Sequence, residues 1–244
     1  MIRFLLALLA AATISGCATT PDNPDPWEAM NRKTFAFNDA LDKAVTKPIA
    51  QGYQKVMPEF AQEGVMNFYS NLEDINSTIN QFLQGKPKEG ANDAARFVVN
   101  SVLGIFGLWD VATPMGLEKH DEDFGQTLGV WGVGPGPYFV IPLLGPSTAR
   151  DAPAKLVDPR WYYPKLLKND SLYWTLWTLD EVQQRAHLLK AESVVEKAAL
   201  DRYTFIRDAW LQRRQNQVYD GNPPRPKYEE DEDDDDKAKD KDKK

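Results

Sequence analysis

Residues 97–117 read FVVNSVLGIFGLWDVATPMGL, and the place this stretch occupies decides the fold. It is apolar around most of a helical circumference, yet Gly104, Gly107 and Pro114 interrupt it. A membrane-spanning helix needs ~20 predominantly apolar residues, and a surface helix of a water-soluble bundle keeps a polar face. The stretch fits neither description, so it is expected to be buried. Two homes are open to it: a protein interior, as a core helix followed by a buried loop, or lipid.

Residues 128–146, LGVWGVGPGPYFVIPLLGP, pose the same question. Glycines at 129, 132, 134, 136 and 145 stand among aromatic and branched residues, and such a backbone can bend or hinge. Aromatic clusters tilt the reading toward lipid. Trp161-Tyr162-Tyr163 and Tyr173-Trp174-Thr175-Leu176-Trp177 are of the type that settles at a lipid–water boundary, although core packing of the same rings is the alternative.

The flanking sequence is helical in pattern. Asp25-Pro26-Trp27-Glu28 predicts a capping box, with Asp25 accepting an amide, Pro26 at the first helical position and Glu28 reaching back. Trp27, Met30, Phe37, Leu41 and Val45 follow at helical spacing. Val65, Phe68, Leu72, Ile75, Ile79 and Phe82 alternate by three and four, with Gly85 and Pro87 as a stop. Ala91, Ala94, Ala95, Val98, Val99 and Val102 mark a third helix. Leu176, Leu179, Val182, Ala186 and Leu189 mark another, and Tyr203, Ile206 and Trp210 the last. Few strand patterns are convincing, since the apolar run 138–144 is short and broken by Pro142, and the architecture is predicted to be all-α.

The N-terminus has a signal layout: Arg3, an apolar core over residues 4–12, then Ile14-Ser15-Gly16-Cys17. This ending resembles a bacterial lipoprotein signal in which Cys17 becomes the acylated first residue; an ordinary signal peptide with a free thiol is the alternative. Cys17 is the only cysteine, so no internal disulfide can form. Several acyl chains would give a durable anchor, and Ala18 in place of aspartate points to the periplasmic face of an outer membrane. The expected organisation is a signal peptide over 1–16, a lipidated tether over 17–24, one helical domain over 25–222 and a tail over 223–244. That tail contains YEEDEDDDDKAKDKDKK, whose ten acids and five lysines carry five of the seven formal negative charges. It lacks the apolar area that offsets ordering entropy. With the body nearly neutral and no basic stripe present, a nucleic-acid partner is not expected.

Catalytic groups are sparse. His120 lies in Lys119-His120-Asp121-Glu122-Asp123 without zinc-ligand spacing and reads as part of a solvated loop. His187 reads as a partly exposed structural histidine, and Ser147 lacks the Gly-x-Ser-x-Gly setting of a nucleophile elbow. The expectation is no enzyme, no metal and no cofactor.

Asp25-Pro26-Trp27-Glu28 with Asn31-Arg32 and Phe37-Asn38 resembles the entry segment of the VacJ/MlaA lipoprotein family. Asn71-Leu72-Glu73, Phe82-Leu83-Gln84-Gly85, Arg96-Phe97 with Asn100, Leu103-Gly104, Asp110-Val111-Ala112 and the 124–129 and 132–138 blocks are similar to its centre. Arg185-Ala186-His187-Leu188-Leu189 and residues 201–214 are similar to its C-terminal helices. The resemblance runs from residue 17 to about 215 and omits the acidic tail. It implies a ring- or disc-like helical domain in one membrane leaflet, with a central amphipathic pore and a Gly-rich loop. The implied function is removal of mislocalised phospholipid from the outer leaflet of the outer membrane. The implied partners are a trimeric porin and a soluble periplasmic lipid carrier. Asn31, Arg32, Phe37 and Asn38 are the expected pore-controlling element, with Gly132, Gly134 and Gly136 as hinges of a lining loop; helix packing or capping, and a static loop, are the alternatives. A scaffolding lipoprotein that moves no lipid is the rival reading, and a phospholipase is the third.

Overall fold

The computed structural model describes residues 23–157 and 169–224. The signal segment, Cys17, the 161–163 aromatic cluster and the acidic tail lie outside the described residues. Helix α1 (Glu28–Leu41) passes through a π-helical turn (Asp42–Thr46) into α2 (Lys47–Val56). Pro48 stands at the start of α2. Its ring collides with the carbonyl four residues back in a regular helix, and a wider π turn is one way to absorb that conflict. Helix α3 (Glu59–Leu83) then leads into α4 (Pro87–Val102).

The predicted stop between these two helices is present. Gly85 has φ of 77°, Lys86 N–H donates to the Gln81 carbonyl (2.9 Å) and Gly85 N–H to that of Phe82 (3.1 Å). This is the Schellman pattern. Pro87 then opens α4, where its missing N–H costs nothing, and α3 and α4 pack along each other as the principal helical pair. A 3₁₀ turn (Thr113–Met115) and a short α5 (Phe124–Val130) follow. Strands β1 (Tyr138–Ile141) and β2 (Gly145–Thr148), α6 (Asp151–Val157), α7 (Asp170–Ala198) and α8 (Arg202–Val218) complete the order.

The fold is predominantly helical, as predicted, and two local details differ from the sequence reading. Residues 138–148 form an antiparallel hairpin with Tyr138 opposite Thr148 and Ile141 opposite Gly145. Pro142 falls in the connection, where it removes no ladder hydrogen bond, so the fold is helical with one small hairpin. The capping box is also absent: Trp27 is the N-cap of α1 and makes no side-chain cap bond. Glu28 pairs instead with Arg32 at 2.7 Å, and Asp25 is drawn into a distant buried cluster.

The helical stripes are where the sequence places them, but on α1 and at the ends of α3 and α4 they face outward, whereas Ala186 of α7 and Tyr203 of α8 are buried. Trp27, Met30, Phe37, Leu41 and Val45 are all exposed, as are Ile79, Phe82, Val98 and Val102. The buried positions of α3 are Asn71, Asp74, Asn76, Ser77, Asn80 and Gln81; those of α4 are Gly90, Asp93, Arg96 and Asn100. Among the described residues, nineteen polar or charged side chains are buried against seven apolar or tyrosine ones. That is the reverse of the usual partition. Among the described residues, Tyr138, Val140 and Tyr203 form a small buried cluster backed by Phe35, Trp210 and Leu211, and the other fully buried apolar residues are alanines.

The opening stretch belongs to the same surface. Leu103, Ile105, Phe106, Leu108 and Trp109 all stand exposed, Phe106 by 77%. The large apolar side chains between residues 102 and 109 are therefore not enclosed by protein, while Asn100, Gly104, Gly107 and Ala112 of the same stretch are buried. Ile105 and Phe106 hold positive φ values of 50° and 56°, a strain of order 1–3 kcal/mol each for such residues. Gly107 is required because a Cβ there would come within 2.7 Å of Asn71. No helix of the described residues is long and apolar enough to cross a membrane.

Candidate functional site: a polar interior beneath an apolar rim

The strained apolar loop is held from below by polar side chains of α4. Asn100 Oδ1 accepts from the Val111 and Ala112 amides, both at 2.9 Å. Its Nδ2 donates to Asp110 Oδ1 at 3.2 Å. One turn earlier, Arg96 donates to Thr113 Oγ1 (3.0 Å) and Asp110 Oδ2 (3.1 Å), and also to the Leu117 carbonyl. Arg96 Nε faces Asp74 Oδ2 at 3.5 Å, an ion pair too long to be a hydrogen bond. Arg96 is only 2% exposed and Asp74 is fully buried.

The charged loop 119–123, expected to be solvated, closes this interior. Lys119 Nζ reaches Asp74 Oδ1 at 2.6 Å. His120 Nδ1 lies 2.7 Å from Asp93 Oδ1. Asn76 donates to the Glu122 carbonyl (3.1 Å) and Ser77 Oγ accepts from the Glu122 amide (3.1 Å). Burial raises the carboxyl pKa of Asp74 against the pull of Lys119, and that of Asp93 against His120. The side-chain atoms Asn71 Oδ1, Gln81 Oε1 and Asp93 Oδ2 are buried without a hydrogen-bond partner in the protein; groups of that kind are the ones that water or a polar solute satisfies.

Glu122 is the most displaced acid of the loop. Burial pushes its carboxyl up to about 7, opposed by the Gln84 amide at 2.7 Å and by Lys86. Its ordinary value is 4.5. Between these two values the folded chain holds a proton that the unfolded chain has released, so stability falls as pH rises through that window. Glu122→Gln is expected to flatten the pH dependence from 4.5 to 7 and to add at most about 3 kcal/mol above it. Unfolding midpoints of both proteins across pH 4–8 check this; parallel curves would refute it.

The four predicted pore-control residues fall on α1, and two of them act as a pair. Asn31 is fully buried. Its Nδ2 donates to Asp25 Oδ1 (2.7 Å) and the Tyr138 carbonyl (3.2 Å), while its Oδ1 accepts from the Val140 amide (2.9 Å). Two turns on, Asn38 Nδ2 donates to the Ile141 carbonyl (3.0 Å) and its Oδ1 accepts from the Leu143 amide (2.8 Å). Asn31 thus bonds the open edge of β1 as a neighbouring strand would, and Asn38 holds the turn at the end of β1. Asp25 also accepts from the Tyr203 hydroxyl and from Arg207 at 3.4 Å. Arg32 bridges Glu28 and Asp201 at 2.7 and 2.6 Å and lies over the Tyr203 ring at 4.5 Å. Phe37 joins the exposed apolar surface and makes no part of this anchor.

The predicted hinge glycines differ from one another. Gly132 and Gly136 have positive φ, 91° and 65°. A Cβ on Gly136 would meet Ala149 at 2.9 Å, whereas one on Gly132 or Gly134 meets nothing within 4 Å. The loop returns to the body through the Arg150 and Ala149 amides, which donate to the carbonyls of Pro135 and Pro137 (both 3.1 Å).

Further along the same interior, Arg214 NH1 bonds Asp123 Oδ2 at 2.6 Å and NH2 bonds Asp151 Oδ1 at 2.8 Å. Burial works against ionisation of both acids, but Arg214 outweighs it and holds their carboxyls below the usual range. A cleft of about 200 Å³ opens beside this triad. In a separate network, Arg185 forks onto Asp42 at 2.7 Å and reaches Glu192 at 2.7 Å. Lys47 and Arg202 also meet Glu192, both at 3.3 Å. Through this network α7 clamps the π turn.

Sequence reasoning did not single out Arg96, Asp74 and Arg214 as central. The available signal was the second stripe on α3, in which Asn71, Asp74, Ser77, Gln81 and Gln84 repeat at threes and fours.

Comparison with known proteins was consistent across sequence and structure. The family profile described as MlaA lipoprotein matches residues 23–217. The chain is 34% identical over 224 residues to the intermembrane phospholipid transport system lipoprotein MlaA of Escherichia coli K12, covering 87% of each chain. It is 31% identical over 235 residues to the protein of the same description from Haemophilus influenzae, covering 89% of this chain and 90% of that one. A solved structure described as the structural basis for maintenance of bacterial outer membrane lipid asymmetry superposes with a TM-score of 0.69 at 34% identity, covering 81% of this chain and 99% of that one.

Proposed function

The chain belongs to the MlaA lipoprotein family, and on that footing we propose that it lies in one leaflet of the outer membrane and carries mislocalised phospholipid out of the outer leaflet. The lipid leaves through an amphipathic passage for a soluble periplasmic carrier, beside a trimeric porin. The relatives' names supply the transport of phospholipid between membranes.

The observation that carries this reading is the reversed partition of α1, α3 and α4. An exposed apolar surface of this extent calls for a membrane or a partner. A buried face of amides and charges offers a headgroup what hydrocarbon cannot. A charged group at the centre of a bilayer costs about 2.5–3.5 kcal/mol on insertion scales and more in simulations; polar partners along α3 and α4 lower that barrier while acyl chains stay against apolar walls. Selection is then passive, and lipid transport needs no catalytic group. Asn31 and Asn38 control the passage by fixing the β1–β2 hairpin to α1, with Arg32 and Phe37 on the same helix.

Outer-leaflet phospholipid in a deletion strain tests the function: wild type restores the low level, and Cys17→Ala, left without its acyl anchor, does not. A strain whose lipid distribution is normal without the protein would favour the scaffolding reading.

The hinge role of the 132–136 loop is tested at Gly134. Gly134→Val adds a side chain into open space, so the protein folds, while the branched residue stiffens the loop. The expected result is an outer-leaflet phospholipid level several-fold above wild type at equal protein abundance. A wild-type level in the folded variant means that Gly134 is no hinge.

A further inference from the structure

The cleft between the loop at Asp121, helix α6 and helix α8 is a site of its own kind. Its volume of about 200 Å³ is smaller than the ~300–1,000 Å³ of pockets for drug-sized ligands, which suits a headgroup and excludes a whole lipid. Its lining is balanced in charge, with Asp121, Asp123 and Asp151 against Lys155, Arg213 and Arg214. The deep charges satisfy one another, because Arg214 takes both Asp123 and Asp151. The mouth is different. Arg213 and Asp121 approach only to 3.6 Å and are 71% and 57% exposed. An exposed pair at that distance contributes ~0–1 kcal/mol, so a ligand separates them at little cost and finds one cation and one anion at the opening. Trp210 lines the same cleft, a ring surface of the type that attracts ammonium groups.

Helix α6 supplies the second half of the argument. Asp151, Ala154 and Lys155 line the cleft, while the next two residues, Leu156 and Val157, are exposed by 73% and 54%. A charged pocket therefore borders directly on an apolar surface, which is the pattern of an amphiphile.

Resting on the transport reading above, we propose that this cleft is a headgroup subsite for a zwitterionic phospholipid. The phosphodiester meets Arg213, the ammonium meets Asp121 and the Trp210 ring, and the acyl chains run over Leu156 and Val157.

Calorimetric titration of the full acylated chain in dodecylmaltoside tests this with three probes: dihexanoyl-phosphatidylethanolamine, dihexanoyl-phosphatidylglycerol and chain-free glycerophosphoethanolamine. The ethanolamine lipid is expected to bind saturably and more tightly than either of the others. Arg213→Gln weakens both lipids about tenfold, the loss expected for a charge-assisted hydrogen bond. Asp121→Asn weakens only the ethanolamine lipid. Circular dichroism confirms the fold of these surface variants. Absent saturable binding, or affinities that neither variant alters, overturns the subsite and leaves the transport reading intact. Equal affinity for the chain-free probe assigns the cleft to soluble phosphoesters and overturns the lipid proposal. Normal outer-leaflet lipid in the deletion strain overturns the transport reading instead.

Discussion

Arg96→Ala is expected to lower unfolding stability by about 3–5 kcal/mol, the loss typical of breaking a buried ion pair from one side. Arg96 is 2% exposed and supports four separate groups on three segments: Asp74 on α3, Asp110 and Thr113 beyond the apolar loop, and the Leu117 carbonyl. Truncation strands the Asp74 carboxylate with Lys119 as its remaining cation and releases residues 110–117. Domains are stable by only ~5–15 kcal/mol, so the variant should accumulate poorly. Arg96→Lys should recover part of the loss, since one ammonium cannot reproduce the planar fork. Arg96→Met combined with Asp74→Leu should recover more, because a filled apolar pair avoids the stranded charge. Denaturant unfolding in detergent micelles reads all three. A loss below ~1 kcal/mol for Arg96→Ala would mean that the interior is wet enough to solvate Asp74 and that Arg96 fixes nothing.

The existence of the helices was legible in spacing, and their orientation was not. Helix α3 carries two stripes, Leu72, Ile75, Ile79 and Phe82 on one side and Asn71, Asp74, Ser77 and Gln81 on another. Periodicity reports the angle between stripes, not which of them faces the interior; only the solvent decides that. Composition held a hint, since a face turned to water usually carries Lys and Glu, whereas this one carries amides, a hydroxyl and a short acid. The resemblance to a membrane family supplied the orientation that the pattern lacked.

Two of the errors share one cause, a local pattern whose partner lies far along the chain. Asp25 has the sequence of a cap, but its buried partner Tyr203 is 178 positions away. The loop 119–123 has the charge of a solvated segment, but Asp74, Asp93 and Ser77 wait for it on α3 and α4. Pro142 argued against a strand and in fact sits between two. Asn31 and Asn38 were chosen through family resemblance, and their bonds to β1 give them a mechanical task that spacing alone did not express.

The apolar rim yields the other large effect. Val102 and Phe106 are 71% and 77% exposed, and on a protein surrounded by water a charge at either position changes stability by less than ~0.5 kcal/mol. In hydrocarbon the same change costs up to ~2.5–3.5 kcal/mol per site near the bilayer centre, which multiplies to a fall of more than a thousandfold in membrane partition for the pair. Val102→Asp with Phe106→Asp, made on a Cys17→Ser background to remove acylation, is therefore expected to move from the vesicle-bound to the soluble fraction while keeping its helical content and unfolding midpoint in detergent. The anchor must be removed first, because acyl chains contribute ~0.8 kcal/mol per buried methylene and would mask the loss. Equal vesicle binding of the double variant and its Cys17→Ser parent would place residues 102–109 in water and remove the lipid-facing role from the loop that Arg96 and Asn100 hold in its strained form.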